Sequence, residues 1–416
     1  MHVSTTPREP QAPEFDVGTA SNLALPCGPI LDWSSFKIID APDLSSVGNL
    51  VYTAFTSSGR AAIYQALLQL QLPPASTVLV PSYHCPTMVS PIILANLSPA
   101  YFGLRADGLP DLDTIDPATA NKSKAIIVTH YFGLARSLAE VRLWCDERGI
   151  ALIEDCAHCY FGEAGERPVG AWGDFSTASL AKFFPVPEGG LLASAHHPIS
   201  DLQLSRPSVK AQLKGWVDVF ELATMYKRFA GINNALTFLF WIKNSQLRLD
   251  AKAEYPTESV ATNMMRDCDM ARIAQAPLWA SMILKAVLPR RRIITRRQQN
   301  FAIYARHFER SQGAKPLFPS PSEAVAPYVF PLWVDDADRV YHALRAQELP
   351  VFRWDRIWPG TPHLDHDVGP LWSHHVLQLL CHQDLSETDI ERTARAILNL
   401  LSTNHAPTAS VDQSQW

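Results

Sequence analysis

The chain has 416 residues, enough for two or three domains or for one large α/β domain and a smaller one. Hydrophobic residues make up 47% and charged residues 19%, a balance that predicts a sizeable core and excludes global disorder. The net charge of −5 gives no reason to expect a nucleic acid as partner, and no apolar run approaches the ~20 residues of a membrane span. The seven cysteines are scattered and the N-terminus has no apolar signal stretch, so we expect a cytoplasmic protein with reduced thiols.

The order of predicted elements in the first half is that of an α/β protein. The strands are predicted at 77–81, 100–104, 124–130 and 150–155. The helices between them are predicted at 59–71, 86–97 and 137–148, the last one closed by Gly149. This alternation indicates a mostly parallel sheet with helices on both faces, and ligands of such sheets bind beyond the carboxyl ends of the strands.

Beyond residue 200 the pattern becomes helical before a second, smaller α/β unit begins. Two helical stretches are predicted at 208–250 and 270–310. They are followed by strands at 328–334 and 376–381 and by helices at 336–347 and 386–401. We therefore predict a partly mobile N-terminal extension (1–48), a large domain (49–265) with a helical insertion near 200–260, a connection and small domain (266–403), and a mobile tail (404–416).

Two ionisable residues carry the strongest chemical signal. Asp155 ends an apolar strand, and Lys182 lies in the following loop, SLAKFFPVPEGG. A lysine amine can form a Schiff base with the aldehyde of pyridoxal phosphate (PLP), and apolar neighbours such as Phe183 would lower its pKa as that bond requires. An aspartate can keep the pyridine nitrogen of PLP protonated. The pair predicts a PLP-binding protein.

Nearby residues extend this prediction. His158 would reach the phenolic oxygen or the ring face of the cofactor, and the segment 57–60 (SSGR) precedes a helix whose free N–H groups can bind a phosphate. Ser179 and Thr177 are candidate phosphate ligands. Each of these residues alone has an ordinary structural explanation, such as a helix cap or a surface charge, so the prediction depends on their combination.

The same segment offers a rival interpretation. Cys156 and Cys159 form a CxxC pair around His158, which could be a redox pair or half of a zinc site. His84 and Cys85 could supply the other two zinc ligands. Against this, the sequence has no second CxxC, and the lysine loop would be unexplained.

Two further features leave alternatives open. The basic cluster Arg290–Arg292 with Arg296 and Arg297 is either a solvated helix face or a contact to a substrate phosphate. The apolar run around Trp241 indicates core or a subunit interface rather than a membrane patch.

The motifs, taken together, resemble a known family. SSGRAA, VPSYHCPT, KAIIVTHYFG, IEDCAH, GDFSTASLAKFFPVPEGG and LLCHQDLS are similar, in order and spacing, to the DegT-type aminotransferases among the fold type I PLP enzymes. These are best known as sugar-nucleotide aminotransferases. The resemblance implies a large domain with a mostly parallel sheet of the seven-stranded type, a smaller C-terminal α/β domain, and a homodimer.

The resemblance also assigns expected roles to residues. Lys182 matches the Schiff-base lysine, Asp155 the partner of the pyridine nitrogen, and His158 the residue beside the phenolic oxygen. Gly59 and Arg60, which follow Ser58, fall where backbone N–H groups hold the phosphate. The lysine argues against the dehydratase branch of the family, in which histidine replaces it.

This chain departs from the family pattern at several places, and two of them concern candidate site residues. Arg60 stands where threonine is common. Near Cys85, where an aromatic residue usually stacks on the cofactor ring, only His84 or Tyr83 could do so.

The expected activity is the transfer of an amino group from an amino acid, glutamate above all, to a keto group on a nucleotide-linked sugar. The reaction would proceed in two half-reactions, and Lys182 would act as general base and acid in them. Another fold type I reaction and a non-catalytic PLP-binding regulator remain as alternatives, beside the CxxC metal or redox protein.

Overall fold

The computed structural model describes residues 25–246, 260–318 and 324–402, so residues 1–24 of the expected extension and the tail at 404–416 lie outside the described residues. Its strands are β1 (Tyr52–Thr56), β2 (Thr77–Pro81), β3 (Ser98–Leu104), β4 (Pro110–Asp111), β5 (Ser123–Thr129), β6 (Ala151–Asp155), β7 (Glu163–Ala164), β8 (Arg167–Pro168), β9 (Phe175–Ser179), β10 (Gly190–Ser194), β11 (Ala314–Pro316), β12 (Val329–Val334), β13 (Val351–Phe352) and β14 (Val376–Leu380). Its helices are α1 (Gly59–Gln69), α2 (Pro86–Leu94), α3 (Pro117–Lys122), α4 (Ala139–Arg148), α5 (Val209–Met225), α6 (Asn233–Gln246), α7 (Val260–Asp267), α8 (Trp279–Val287), α9 (Arg290–Phe308), α10 (Ala337–Ala346), α11 (Gly369–His375) and α12 (Glu387–Ser402).

The large sheet has the strand order β1-β10-β9-β6-β5-β2-β3-β4. Strands β9, β6, β5, β2 and β3 run parallel, while β1, β10 and β4 pair antiparallel with their neighbours. The expected mostly parallel sheet is confirmed. The strand beyond the expected seven is the two-residue β4 at the edge.

Alternating side chains of the parallel strands cover the two faces of this sheet. Val78 and Val80 of β2 pack in one apolar cluster with α1 and α2, whereas Leu79 belongs to the cluster on the opposite face. In β6, Ile153 and Leu152 are divided in the same way. Because both faces are buried, the free edge for a ligand is the carboxyl end of the strands.

The smaller antiparallel sheet has the order β11-β12-β14-β13. Its strands contact α10 and α11. They also contact α9, the long helix that joins this sheet to the rest of the chain. The strands and helices predicted between 328 and 401 are therefore present, with ends that differ by one or two residues.

The helical region differs more from expectation. The stretch predicted at 208–250 divides into α5 and α6, because the chain turns at 226–232, where Lys227 and Gly231 have positive φ angles of 56° and 92°. The stretch predicted at 270–310 divides at Pro289, which caps α9. None of the described helices is long and apolar enough to cross a membrane.

Candidate active site

Three polar side chains meet at the carboxyl edge of the large sheet. Thr129 of β5 pairs in register with Asp155 of β6, and Asp155 pairs with Thr177 of β9. After β9 the chain makes one turn of 3₁₀ helix, Leu180–Lys182. Parallel strands thus bring the predicted acid and lysine to one place, which we call the lysine site and define as Asp155, His158 and Lys182.

Asp155 is a buried carboxylate that accepts hydrogen bonds through only one of its two oxygens among the described residues. Its Oδ1 accepts a hydrogen bond from the backbone N–H of Ala157 at 3.0 Å and a longer one from the Thr177 hydroxyl at 3.4 Å. Its Oδ2 has no hydrogen bond from any described residue. Burial raises the pKa of Asp155, and the nearby charge of Lys182 opposes that shift.

Lys182 is part-buried, and burial lowers the pKa of its amine, against the opposing influence of Cys85 and Asp155. Its Nζ lies 5.1 Å from the centre of the Tyr328 ring. An amine with a lowered pKa is neutral in a larger fraction of molecules at neutral pH, and the neutral form is the nucleophile.

The ring of His158 is held on both sides and in one tautomer. It stacks on Tyr328 at 4.5 Å and packs against Trp354 at 4.8 Å. The backbone N–H of Phe132 donates to Nδ1 at 3.3 Å, so the proton of the neutral ring resides on Nε2. Burial, with the charge of Lys182, lowers the pKa of His158 well below its ordinary value, which keeps the ring neutral.

The first turn of α1 lies beside the loop that carries Lys182. Ser58 caps the helix through its side chain, which accepts from the N–H of Ala61 at 3.2 Å. A Cβ added at Gly59 would lie 3.3 Å from the Cβ of Ser179, so Ser179 sits against the helix start. Thr177 instead directs its hydroxyl to Asp155. Of the two candidate phosphate ligands, Ser179 is therefore the one beside the free N–H groups of α1.

Glycine at 190 makes this approach possible. A Cβ there would lie 2.0 Å from the backbone oxygen of Ser58. Gly189, with φ of 126°, donates its N–H to the carbonyl of Ser57 at 2.9 Å. The Gly189–Gly190 pair thus joins β10 to the start of α1. The Arg60 side chain points elsewhere, to the backbone oxygen of Asp269 at 3.0 Å.

His84 is engaged away from the lysine site. Its Nδ1 donates to the carbonyl of Pro81 at 2.8 Å, its Nε2 accepts from the N–H of Trp358 at 2.9 Å, and its ring packs on Tyr101. The prediction that His84 stacks on a cofactor ring is not supported by these contacts. The residue of this segment that interacts with Lys182 is Cys85.

The CxxC pair is buried in the core. Cys156 and Cys159 are both fully buried free thiols, and burial raises the pKa of Cys159 to about 12. Within the described ranges, the three-residue group close enough to share a metal ion is His130, Glu154 and Cys156. Among the described residues, the structure does not bring Cys159, His84 and Cys85 into that group, so the zinc ligand set of the rival interpretation is not assembled.

Glu154, adjacent to Asp155, was not singled out from the sequence. Its carboxylate accepts from the backbone N–H groups of Gly170, Trp172 and Gly173 at 2.6, 2.9 and 3.1 Å, and from the His130 ring at 2.8 Å. We call this group the Glu154 clamp. Alternation along the strand turns Glu154 away from Asp155 and into the core, so its role is to fix the segment 170–173.

The basic cluster of α9 is divided between the interior and the surface. Arg292 is buried and pairs with Asp384 at 2.9 Å, and Arg297 is fully buried. Arg290 and Arg291 pair with Asp43 and Asp40 of the N-terminal segment. These partners are distant in sequence, so the spacing of the arginines alone could not reveal them. Arg291 therefore lies on a solvated face, whereas Arg292 and Arg297 lie in the interior.

Comparison with known proteins agrees with the family resemblance. Residues 47–204 match the model of the DegT/DnrJ/EryC1/StrS aminotransferase family. GDP-perosamine synthase of Vibrio cholerae is 29% identical over 168 residues, which cover 39% of this chain and 46% of that protein. The lipopolysaccharide biosynthesis protein RfbH of Salmonella typhimurium is 33% identical over 146 residues, 32% of this chain and 33% of that protein. The chain thus spans less than half the length of these relatives.

Solved structures extend the likeness to most of the chain, at the level of the fold. A DegT DnrJ EryC1 StrS aminotransferase from Brucella abortus has a TM-score of 0.57 at 16% identity, covering 85% of this chain and 86% of its own. Helicobacter pylori PseC, an aminotransferase involved in pseudoaminic acid biosynthesis, has a TM-score of 0.58 at 12% identity, covering 85% and 88%. The family resemblance is confirmed over residues 47–204, and the fold type is confirmed over the wider region.

Proposed function

We propose that this chain is a PLP-dependent aminotransferase that acts on a sugar substrate. The observation that carries the proposal is the lysine site: an amine with a lowered pKa lies near a buried carboxylate that has one oxygen without a hydrogen bond among the described residues. An unused carboxylate oxygen beside such an amine is matched by a ligand that donates a proton-bearing nitrogen. The matching family model adds the class of reaction.

The residues present fit PLP. Asp155 would accept a hydrogen bond from the pyridine nitrogen through its open oxygen, and His158 would donate its Nε2 proton to the phenolic oxygen. The N–H groups of Gly59 and Arg60, with Ser58 and Ser179 beside them, would bind the phosphate at the start of α1. When bound through Lys182, PLP supplies an electron sink for the carbon that bears the amino group.

The side chains of the chain itself then have distinct tasks. Lys182, once released from the cofactor, would act as general base and take the proton from the amino-bearing carbon of the donor. It would then return that proton as general acid. Asp155 holds a compensating negative charge in a site where burial strengthens electrostatic interactions. The stacked and neutral His158 contributes a hydrogen bond of fixed direction without adding a charge.

The names of the relatives point to the substrate class. One relative is named a GDP-perosamine synthase, and another is a dTDP-4-dehydro-2,3,6-trideoxy-D-glucose 4-aminotransferase. We infer from these names that the acceptor is a keto sugar carried on a nucleotide, and we propose glutamate as the donor from the family resemblance alone. Transfer of nitrogen from labelled glutamate also tests the two alternatives, because neither a different fold type I reaction nor a non-catalytic binder would produce 2-oxoglutarate together with an aminated sugar.

A homodimer is part of the proposal. Phe238, Leu239 and Trp241 of α6 are 60%, 59% and 65% exposed, so the run around Trp241 is not core in the single chain. The sequence offered two explanations of this run, core or a subunit interface, and we propose the subunit interface. Sedimentation of the wild type against Trp241→Glu tests it, since a dimer that uses this face would dissociate. A cytoplasmic location stays a prediction.

The decisive experiment is borohydride reduction of the purified protein followed by peptide mapping. The cofactor should be found on Lys182, and Lys182→Ala should lower turnover by about 10²- to 10⁴-fold or more while the protein stays folded. Lys285 is the matched control, because burial also lowers the pKa of its amine, yet it lies over Phe55 away from the lysine site. A tag on Lys285, or on no lysine, would overturn the proposal.

A further inference from the structure

Arg297 of α9 is a fully buried guanidinium that holds backbone rather than a carboxylate. Its Nε donates to the side-chain oxygen of Gln383 at 2.9 Å, and its two terminal nitrogens donate to the carbonyls of Pro327 at 3.0 Å, Tyr328 at 3.2 Å and Lys182 at 2.5 Å. Burial lowers the pKa of Arg297 to about 10, so it is still charged at neutral pH. Burying a charge is unfavourable, and these four hydrogen bonds offset the lost hydration.

Gln383 completes this arrangement from the other side. Its Nε2 donates to the carbonyl of Phe183 at 2.8 Å. Two successive carbonyls of the lysine turn, those of Lys182 and Phe183, are therefore held by two joined side chains, which we call the carbonyl clamp (Arg297 and Gln383). The guanidinium also lies 4.5 Å from the centre of the Phe183 ring.

The carbonyl clamp connects the two chain segments that face each other at the lysine site. One segment carries Lys182, and the other carries Tyr328, whose ring lies 5.1 Å from the lysine Nζ and stacks on His158. The planar guanidinium of Arg297 donates to both segments at once. The single ammonium of a lysine could not do so with the same geometry.

Gln383 is itself anchored by its neighbours. His382 Nε2 donates to the carbonyl of Pro26 at 3.1 Å, and Asp384 binds both Arg292 and the backbone N–H of Ile30. The loop 382–384 thus ties the described N-terminal segment to the carbonyl clamp, and little freedom is left for the lysine turn.

We propose that Arg297, with Gln383, is a positioning residue that fixes the backbone of Lys182 and thereby sets the place of its amine against Tyr328, His158 and Asp155. The inference rests on the proposed role of Lys182. Releasing the turn would admit water to the amine, whose surroundings are Asp155, Cys85, His158 and Tyr328. The burial that lowers its pKa would then weaken.

The test follows the pH dependence of reductive methylation of Lys182 in the full-length chain, after any bound aldehyde has been removed with hydroxylamine. Formaldehyde with cyanoborohydride is the probe, and the modified peptide is quantified by mass spectrometry. In Arg297→Met and Gln383→Met the midpoint should rise by about one pH unit, equal to roughly tenfold slower labelling near neutral pH. Arg296→Met is the matched control: Arg296 lies on the same helix but donates to Leu385 and Gln299, and its variant should keep the wild-type midpoint.

Unchanged midpoints in both folded clamp variants would overturn the inference, as would an equal shift in Arg296→Met. If Arg297→Met does not fold, Gln383→Met decides by the same measurement. The outcome is separable from the proposed function: a shifted midpoint with no cofactor on Lys182 refutes only the function, and cofactor on Lys182 with an unshifted midpoint refutes only the positioning role.

Discussion

The lysine site and the Glu154 clamp lie on opposite sides of one strand, and both are built around a buried acid. Glu154 accepts four hydrogen bonds through its two oxygens, whereas Asp155 accepts two, both through Oδ1. A buried carboxylate that has all its hydrogen-bond partners inside the protein has a structural role. One with an unused oxygen beside a perturbed lysine is poised for a ligand. The number of satisfied hydrogen bonds, rather than residue type or burial, separates the two acids.

The comparison can be broken most sharply by neutralising each acid in turn. Asp155→Asn should lower turnover by roughly 10³-fold or more, because a neutral amide cannot hold charge opposite the cofactor ring. It should melt near the wild-type temperature, since the amide oxygen can still accept from Ala157. Turnover and thermal melting measured on the same preparations test this.

The neighbouring change supplies the contrast. Glu154→Gln should cost about 3 kcal/mol of unfolding free energy, since three backbone N–H groups and His130 lose an ionised acceptor, while the folded fraction keeps its activity. Near-normal activity in Asp155→Asn, or an undisturbed melting temperature in Glu154→Gln, would remove the distinction between the two regions.

A smaller effect is expected at Cys156 and Cys159, which lie between the two regions. As buried thiols they behave as small apolar side chains. Cys156→Ala and Cys159→Ala should each keep the cofactor and keep turnover within about tenfold, a barrier change of ~1.4 kcal/mol. Elemental analysis of the wild type is the control. Stoichiometric zinc, together with loss of function in either variant, would favour the metal interpretation instead.

The last effect, on the pH dependence of stability and not on activity, concerns His84, which belongs to neither region. Burial lowers its pKa to about 4, below the value of about 6.5 in an unfolded chain. As the pH falls, the unfolded state therefore binds the proton before the folded state does. The contribution of neutral His84 to the unfolding free energy is fully present above pH ~6.5 and is lost as the pH drops towards 4.

His84→Gln keeps a donor and an acceptor but does not titrate. Its unfolding free energy should depend less steeply on pH between ~6.5 and 4, by at most about 1.4 kcal/mol per pH unit. Denaturant unfolding at several pH values measures this. His158 and His382, also buried, remain in both proteins, so equal slopes would show that His84 does not contribute.

The sequence alone determined four of the five parallel strands, β2, β3, β5 and β6, because they are short apolar runs between helices with clear caps and turn residues. It also indicated Asp155 and Lys182 as the central pair of the proposed site, because a strand-end acid and a lysine in an apolar loop are local patterns. It predicted one helix where α5 and α6 lie, since an apolar period does not reveal a turn such as that at Gly231. It also missed β9, whose small polar residues Ser176, Thr177 and Ser179 do not resemble a buried strand.

The tertiary structure decided which polar residues serve the lysine site and which support it. Alternation along β6 assigns Glu154 to the core, but its partners at 170–173 are known only from the fold. Pro81 and Trp358 occupy both ring nitrogens of His84, while Ser179 rather than Thr177 comes to the start of α1. Arg297 reaches Lys182 across 115 positions of sequence. Such contacts depend on how elements pack in space, and no local pattern of residue types encodes them.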